Sequence, residues 1–333
     1  MKPGLLLVLT AALYAAQSPH YKIAGSIALG GSGGWDYLSA DSANRRLYVS
    51  HGGQVEVVDL DSQKPIGKIS GMMGVHGIAV ANDLGSGFIS DGRANEVVEF
   101  TLASLEVKKK IKAGTNPDGI VYDGVSKRVF AFNGRSHDAT VIDAADGTVA
   151  GTVKLDGKPE FPVSDGAGSI FVNIEDKSEL VKINSRTLAV EATWPLAPCE
   201  SPSGLAIDPA NRRLFSVCDN QRMAITDADS GKVVATPAIG EGPDAAGFDP
   251  GTHLAFSSNG ASGTLTLIRA DGKDKYSVAA TVETAKGART MTLDSKTHKL
   301  YLSTAEFGPA PAAGKRPAIL PDTFRVLVLA PAS

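Results

Sequence analysis

Short apolar runs separated by polar turns recur along nearly the whole chain, and one stretch shows the repeating unit clearly. Residues 116–133, NPDGIVYDGVSKRVFAFN, contain two β-branched and aromatic runs, at 120–122 and 129–132. Such runs favour buried β-strands, and Asp123-Gly124 between them is typical of a chain reversal. The stretch therefore predicts two short antiparallel strands joined by a tight turn.

This unit occurs seven times. The copies begin at Trp35, Val75, Pro117, Pro159, Pro202, Pro243 and Ala288, in steps of 40, 42, 42, 43, 41 and 45 residues. A typical copy continues with a third apolar strand, a polar turn and a fourth strand, as at 139–143, 145–147 and 148–155. A β-type period of this length indicates a propeller. The sequence therefore predicts an all-β, seven-bladed β-propeller of four-stranded antiparallel blades.

The seventh copy lacks a fourth strand of its own. Its apolar strands fall at 291–293, 300–303 and 325–329, whereas an unpaired strand, YKIAGSIALG, precedes the first copy at 21–30. That N-terminal strand is the natural substitute, because its pairing would remove two exposed sheet edges. We therefore expect the N-terminal strand to close the ring.

Residues 1–18, MKPGLLLVLTAALYAAQS, combine one lysine, an apolar run and small residues. This pattern predicts a secretory signal peptide, and the run is short for a membrane span; the alternative is a retained N-terminal anchor. Residues 19–333 are predicted to form a single propeller domain. A periplasmic or secreted location is expected, with no membrane span after cleavage.

The small net charge of the chain limits which classes of partner are expected. The formal net charge is only -3, so no nucleic acid is expected as a partner. The one basic run, at 108–112, falls on the predicted outermost strand of the second blade, where lysines typically prevent edge-to-edge pairing. The expected partner is a small polar molecule or another protein, and the expected state is a monomer.

Two kinds of motif carry a resemblance to a known family. Pro-x-Gly-Ile/Leu occurs at 117–120 and 202–205, and Arg-Leu-Tyr/Phe begins second strands at Arg46 and Arg213. With Thr140-Val141-Ile142-Asp143, these motifs resemble the YVTN-repeat family of β-propellers, which includes YncE-like periplasmic proteins. The resemblance spans about residues 21–330 and implies the propeller fold. It implies little about activity, because unrelated functions share such folds.

In this architecture, the turn before each innermost strand lies at the mouth of the central channel. The second residue of each copy should therefore contribute to one ring of side chains: Asp36, His76, Asp118, Glu160, Ser203, Asp244 and Arg289. Turns favour aspartate for local hydrogen bonding, so Asp118 and Asp244 have that alternative explanation. It does not suit His76, Glu160 or Arg289. Four carboxylates against one arginine favour a cation, a metal or a polyhydroxylated ligand.

The loop after each second strand should rise to the same face. It supplies a second tier of candidate ligand-binding residues: His51, Asp91, Asn133, Glu175, Asp219 and Asn259. Three histidines on this face, His51, His76 and His137, are candidate metal ligands. With Met72 and Met73 they would suit copper, and His76 with Asp118 and Glu160 would suit zinc or calcium. The alternative is that the methionines pack between blades. A divalent metal ion is the one cofactor that the residues suggest.

Two classes of function remain open. One is a binding propeller that holds a small polar or cationic ligand, or a partner, at the channel mouth. The other is a lactonase-type hydrolase or lyase, in which His76 or Glu160 acts as a base and Arg289 stabilises an oxyanion. The sequence contains no nucleophile elbow, which argues against covalent catalysis.

Two further features concern the same face. Cys199 and Cys218 flank the inner hairpin of the fifth blade. An even cysteine count in an exported protein favours a disulfide between them; the alternative is a free buried pair.

Residues 306–323, EFGPAPAAGKRPAILPDT, interrupt the last blade with four prolines. Long loops in compact repeats are usually functional or disordered. We expect this insertion to lean over the ring.

Overall fold

The computed structural model describes residues 20–272, 274–309 and 317–332. In this part of the chain, seven antiparallel four-stranded sheets form the predicted blades. Blades 1 to 3 consist of β2 (Leu38–Asp41), β3 (Arg46–His51), β4 (Gln54–Asp59), β5 (Lys64–Ile69); β6 (Val75–Ala81), β7 (Ser86–Asp91), β8 (Glu96–Thr101), β9 (Val107–Lys112); β10 (Pro117–Asp123), β11 (Arg128–Asn133), β12 (Asp138–Asp143) and β13 (Thr148–Lys154).

Blades 4 to 7 follow in the same order. They consist of β14 (Pro159–Ser164), β15 (Ser169–Ile174), β16 (Glu179–Asn184), β17 (Val190–Pro195); β18 (Pro202–Asp208), β19 (Arg213–Cys218), β20 (Arg222–Asp227), β21 (Val233–Ala235); β22 (Pro243–Asp249), β23 (Leu254–Asn259), β24 (Thr264–Ala270), β25 (Tyr276–Glu283); β26 (Met291–Asp294), β27 (Lys299–Thr304), β28 (Arg325–Pro331) and β1 (Tyr21–Ala28). The all-β, seven-bladed prediction is confirmed.

The seven innermost strands form the wall of a central channel. Each of β2, β6, β10, β14, β18, β22 and β26 contacts the innermost strand of the next blade, and β26 contacts β2. Apolar side chains fill the space between blades: Tyr48 of blade 1, for example, packs on Phe100 of blade 2 with ring centroids 5.7 Å apart. Strands pair only within a blade, so burial of these apolar layers holds each blade against its neighbours.

The N-terminal strand closes the ring, as predicted. β1 pairs antiparallel with β28, from Tyr21 opposite Pro331 to Ala28 opposite Arg325. Tyr21 and Ile27 are buried between blades, and the Tyr21 hydroxyl donates a hydrogen bond to the carbonyl of His298 at 2.8 Å. β1 thereby becomes the fourth strand of blade 7.

Some elements differ from the sequence-based expectation. The fourth strand of blade 5 is shorter than that of the typical copy, because β21 covers only Val233–Ala235. Pro237 lacks the N–H group that a continuing strand needs, and a single bridge from Arg222 to Ala238 follows it. Two short 3₁₀-helices, Asn82–Leu84 and Glu175–Lys177, occupy turns.

Two expectations concern membranes and export. No helix in the described ranges is long and apolar enough to span a membrane. The predicted signal peptide, residues 1–18, lies outside the described residues.

Cys199 and Cys218 form a disulfide, the pairing expected from the sequence, with their Cα atoms 5.6 Å apart. Both residues are buried, and Cys218 ends β19 of blade 5. The bond ties the turn that precedes β18 to the end of β19. It closes a loop of 19 residues, a length for which cross-linking typically stabilises a fold by about 3 kcal/mol.

Removal of β1 tests ring closure. Deletion of residues 20–28 removes two buried side chains, Tyr21 and Ile27, and exposes the edge of β28. We expect a loss of roughly 5 kcal/mol or more in the free energy of unfolding, which is a large part of the stability of an ordinary protein. Urea denaturation followed by circular dichroism measures this loss.

Ile23→Ala on the same strand is the matched control, because the Ile23 side chain is 45% exposed. Its effect should stay within about 0.5 kcal/mol. A deletion variant that unfolds at the same urea concentration as the full chain would contradict closure by β1.

Candidate functional site

The predicted ring residues occupy equivalent places in the fold. His76, Asp118, Glu160, Ser203 and Asp244 are second in the innermost strands β6, β10, β14, β18 and β22. Asp36 and Arg289 lie two residues before β2 and β26. In the five strands that include the ring residue, the pairing register breaks directly around it. Such irregularities redirect side chains, and they are common beside functional sites.

Polar residues of the second strands hold these irregular backbones in place. The Ser50 hydroxyl accepts the N–H of Asp36 at 2.7 Å. Ser90 donates to the carbonyl of Asp118 at 2.6 Å, and Asn173 donates to the carbonyl of Ser203 at 3.0 Å. The backbone groups that lose their strand partners thus gain side-chain partners, as buried polar groups require.

Five ring residues form one charged cluster. The Nδ1 atom of His76 lies 2.6 Å from Oδ2 of Asp36 and 3.6 Å from Oδ1 of Asp118. Arg289 pairs with Asp244, lies 3.3 Å from Oδ1 of Asp36, and donates to the Trp35 carbonyl at 2.8 Å. Residues from blades 1, 2, 3, 6 and 7 therefore meet at the mouth of the channel.

A second charged group forms around Lys158, which sequence reasoning missed. Its Nζ atom lies 2.6 Å from Oε1 of Glu160 and also pairs with Glu175. Lys158 stands two residues before the ring position, so a search of the whole preceding turn would have found it. Ser203 joins neither group, because its hydroxyl donates to the carbonyl of Pro243 at 3.2 Å.

Burial and mutual repulsion perturb the ionisation of the cluster. Burial by itself lowers the pKa of His76, but the hydrogen bond to Asp36 and the charge of Asp118 outweigh it and raise the pKa to about 8. Burial, with the charge of Asp36, raises the pKa of Asp118 to about 6. Burial also raises the pKa of Asp244, although the Arg289 charge opposes the shift.

Glu160 is a strongly perturbed carboxyl group. Burial raises its pKa to about 8, the charge of Asp118 adds to the effect, and Lys158 partly offsets it. Tyr37, which lines the channel, responds to the same charges. Burial, followed by the charges of Asp118 and Glu160, raises the pKa of its hydroxyl well above the ordinary value. Groups perturbed in this way concentrate at functional sites.

One potential metal-binding group occurs in the described part of the chain. Ligand atoms of Asp36, His76 and Asp118 lie within 4.8 Å of one another. Oδ1 of Asp118 is buried and has no hydrogen-bond partner, so it is available to a ligand. One imidazole nitrogen with two carboxylate oxygens is a donor set that suits zinc.

The structure does not place the other metal candidates in that group. His51 is buried, its ring packs on Phe324 at 4.3 Å, and its Nδ1 atom lies 3.6 Å from Glu56. His137 lies in the turn before β12 and belongs to no group of three ligand residues among those described. Met72 packs between blades 1 and 2, whereas Met73 is 65% exposed.

The second tier divides into buried and accessible members. Asp91 accepts the N–H groups of Met73 and Gly74 at 2.9 and 2.8 Å. Asn133 donates a hydrogen bond to Asp138 at 2.7 Å, and Asn259 donates one to Thr266 at 2.9 Å. These three are fully buried and hold loops together. Glu175 and Asp219 remain accessible near Lys158, whereas His51 is buried, as described above.

Three cavities adjoin the ring. The central channel, about 600 Å³, is lined by inner-strand residues such as Tyr37 and Phe161. A pocket of about 480 Å³ is lined by Asp36, His76, Arg93 and Arg289, among others. We call it the charged pocket.

Beside the charged pocket lies the apolar cleft, of about 570 Å³, in which Phe307, Pro317 and Ile319 of the predicted insertion face Trp35 and Arg289. The described parts of the insertion, 306–309 and 317–323, thus stand next to the ring. Residues 310–316 lie outside the described residues.

No protein-family model and no curated protein matches the chain. Several solved structures share its fold. They include U3-55K (TM-score 0.77, 9% identity, 91% of this chain and 97% of that one) and the RRP9 WD40 repeats (TM-score 0.78, 10% identity, 94% and 99%). Hydrazine synthase of Kuenenia stuttgartiensis gives a TM-score of 0.69 at 15% identity, over 81% and 92%. Identities this low show the propeller fold alone, and the YVTN-type resemblance stays a sequence-based interpretation.

Titration of His76 tests the charged cluster. In NMR spectra we expect a pKa of about 8 for His76. Asp36→Asn should lower that pKa, because a carboxylate that favours the charged ring is lost while burial remains. Since the folded-state pKa lies above the ordinary 6.5, the stabilising contribution is complete below pH 6.5 and is lost as the pH rises through 8.

Asp219→Asn is the control for this titration. Asp219 is an exposed carboxylate on the same face, near Glu175 and Lys158 rather than His76. It should leave the His76 titration unchanged. An ordinary His76 pKa in the unmodified protein would show that the cluster does not form as described.

Proposed function

We propose that this protein binds a small polar ligand in the charged pocket at the mouth of its central channel. The observation that carries the proposal is the meeting of Asp36, His76 and Arg289 in a cavity of about 480 Å³. That volume is within the range of small-molecule sites, which typically combine a few converging polar groups.

The groups that line the charged pocket offer both hydrogen-bond donors and acceptors. His76 and Arg289 donate, while Asp36 accepts. A cationic ligand fits less well than the carboxylate count of the sequence suggests. Arg289 already pairs with Asp244 and Asp36, and Lys158 already pairs with Glu160 and Glu175. These two cations reduce the negative charge of the four carboxylates but do not cancel it.

A second candidate function is metal-assisted opening of a lactone or a related polar substrate. The group formed by Asp36, His76 and Asp118 favours it. A divalent ion held there would act as a Lewis acid on a carbonyl oxygen. Glu160, with a pKa of about 8, is suited to exchange a proton near neutral pH.

We also propose that the chain is an exported, YVTN-type propeller that works in the periplasm or outside the cell as a monomer. The repeat motifs and the apolar segment at 5–16 support this. The disulfide adds an independent argument, because such bonds persist mainly in oxidising compartments.

Thermal unfolding with a panel of ligands tests the proposed function. The panel contains sugars, amino acids, small organic acids, lactones, Zn²⁺ and Ca²⁺. We expect at least one organic compound to stabilise the protein, by about 2.7 kcal/mol when its concentration is 100 times its Kd. His76→Gln should abolish most of that stabilisation, because His76 lines the charged pocket.

Asp219→Asn serves again as the control and should retain the full stabilisation. Release of acid from lactones, with and without a chelator, separates metal-assisted hydrolysis from binding alone. A panel without any stabilising compound, or stabilisation that His76→Gln leaves intact, would contradict a ligand site in the charged pocket.

A further inference from the structure

The apolar cleft and the charged pocket adjoin each other. Gly34, Trp35 and Arg289 line both cavities. Apart from glycines, the other residues that line the apolar cleft are Ala261, Phe307, Pro317 and Ile319. A ligand that occupies both cavities would therefore lie against Trp35 and Arg289.

Glycine residues, whose backbone is not covered by a side chain, form part of the apolar cleft. Gly242, Gly260 and Gly287 line it together with Gly34. Gly287 has a φ of +82°, and a Cβ atom there would lie 2.6 Å from Cζ of Phe307. A Cβ atom at Gly260 would lie 2.6 Å from Cβ of Arg289. Side chains at these two positions would displace the walls, so the close approach depends on glycine.

Trp35 lies between the two cavities, and its indole N–H group has no hydrogen-bond partner. Its side chain stacks on Phe324 at 5.4 Å and meets Phe307 at 6.1 Å. Only 9% of the residue is exposed, and its indole Nε1 has no hydrogen-bond partner. Buried tryptophan N–H groups usually have one. The Cζ2 atom, on the same edge of the indole as Nε1, faces the glycine at 287 in the cleft wall.

One cation that lines the charged pocket has no ion-pair partner among the described residues. Arg93 is exposed and forms no ion pair within the described ranges. Arg289 also lines the pocket, but it is already paired with Asp244 and Asp36. Asp36 is the one acidic side chain among the lining residues. Asp244 pairs with Arg289 and Asp118 lies 3.6 Å from His76, but neither carboxylate lines the pocket.

We infer that the two cavities together bind an organic carboxylate that carries a flat apolar group. The aryl group lies in the apolar cleft against Trp35, Phe307 and Ile319, and the carboxylate lies in the charged pocket against Arg93. Arginine pairs well with carboxylates, and aromatic side chains favour stacked or edge-on rings. This inference rests on the proposed function and names its ligand class.

Calorimetric titration with 2-naphthylacetate tests the inference, with 2-naphthylacetamide and acetate as compounds that lack the charge or the ring. Naphthylacetate should bind at least about tenfold more tightly than either one.

Ile319→Ala should weaken binding of naphthylacetate about fivefold. Arg93→Gln should weaken it similarly and reduce its dependence on salt. Ala261→Trp should abolish binding, because it fills the apolar cleft from an exposed position without removal of a native contact.

The chain offers a matched control for each kind of change. Arg135 occupies the same place in the third blade as Arg93 in the second, after the end of the second strand. Leu320 adjoins Ile319 but does not line the apolar cleft. Arg135→Gln and Leu320→Ala should leave the affinity for naphthylacetate unchanged.

Two results would overturn the inference. One is the absence of naphthylacetate binding at millimolar concentration. The other is binding that Arg93→Gln and Ala261→Trp do not weaken. If another compound still stabilises the protein in a manner that depends on His76, the proposed function stands and only this ligand class is wrong.

Discussion

The pairing of β1 with β28 is the constraint on which the rest of the molecule depends. The ring residues are separated by about forty positions from copy to copy, and Asp36 and Arg289 stand 253 residues apart in the chain. They come within 3.3 Å because blade 7, completed by the N-terminal strand, packs against blade 1. An open array of blades would leave the first and last copies apart and the charged cluster incomplete. The candidate site is therefore a property of the closed ring rather than of any one blade.

The pairing of acidic and basic side chains then determines which polar groups at the channel mouth are available to a ligand. Burial of several carboxylates close together is costly unless cations or protons offset it. Arg289 compensates Asp244 and Asp36, Lys158 compensates Glu160, and raised pKa values relieve part of the remaining repulsion. The result is a mouth whose acidic groups are largely satisfied from within. Among the described residues, unpaired polar groups remain at Arg93, at Asp219 and at one oxygen of Asp118.

The sequence predicts the blades well because their strands follow a repeated pattern of apolar runs and turns. The same register predicts that Asp36, His76, Asp118, Glu160, Asp244 and Arg289 share one face, and the structure places them there. Side-chain direction is a different matter, since it depends on contacts across blades. Asp91 and Asn133 follow the register yet turn inward to hold loops, while Lys158 and Arg93 fall outside it and become part of the site. The sequence did not predict the apolar cleft for a similar reason, because glycines from three copies and an insertion form it jointly.

A double-mutant cycle on Asp36 and Arg289 tests the central claim, that closure of the ring brings distant copies into one site. The free energy of unfolding would be measured by urea denaturation for the unmodified protein, for Asp36→Asn, for Arg289→Gln and for the double variant. The account predicts a coupling energy of about 0.5–3 kcal/mol, as residues in direct contact show. Effects of the two changes that add to within about 0.3 kcal/mol, as for residues far apart, would contradict it.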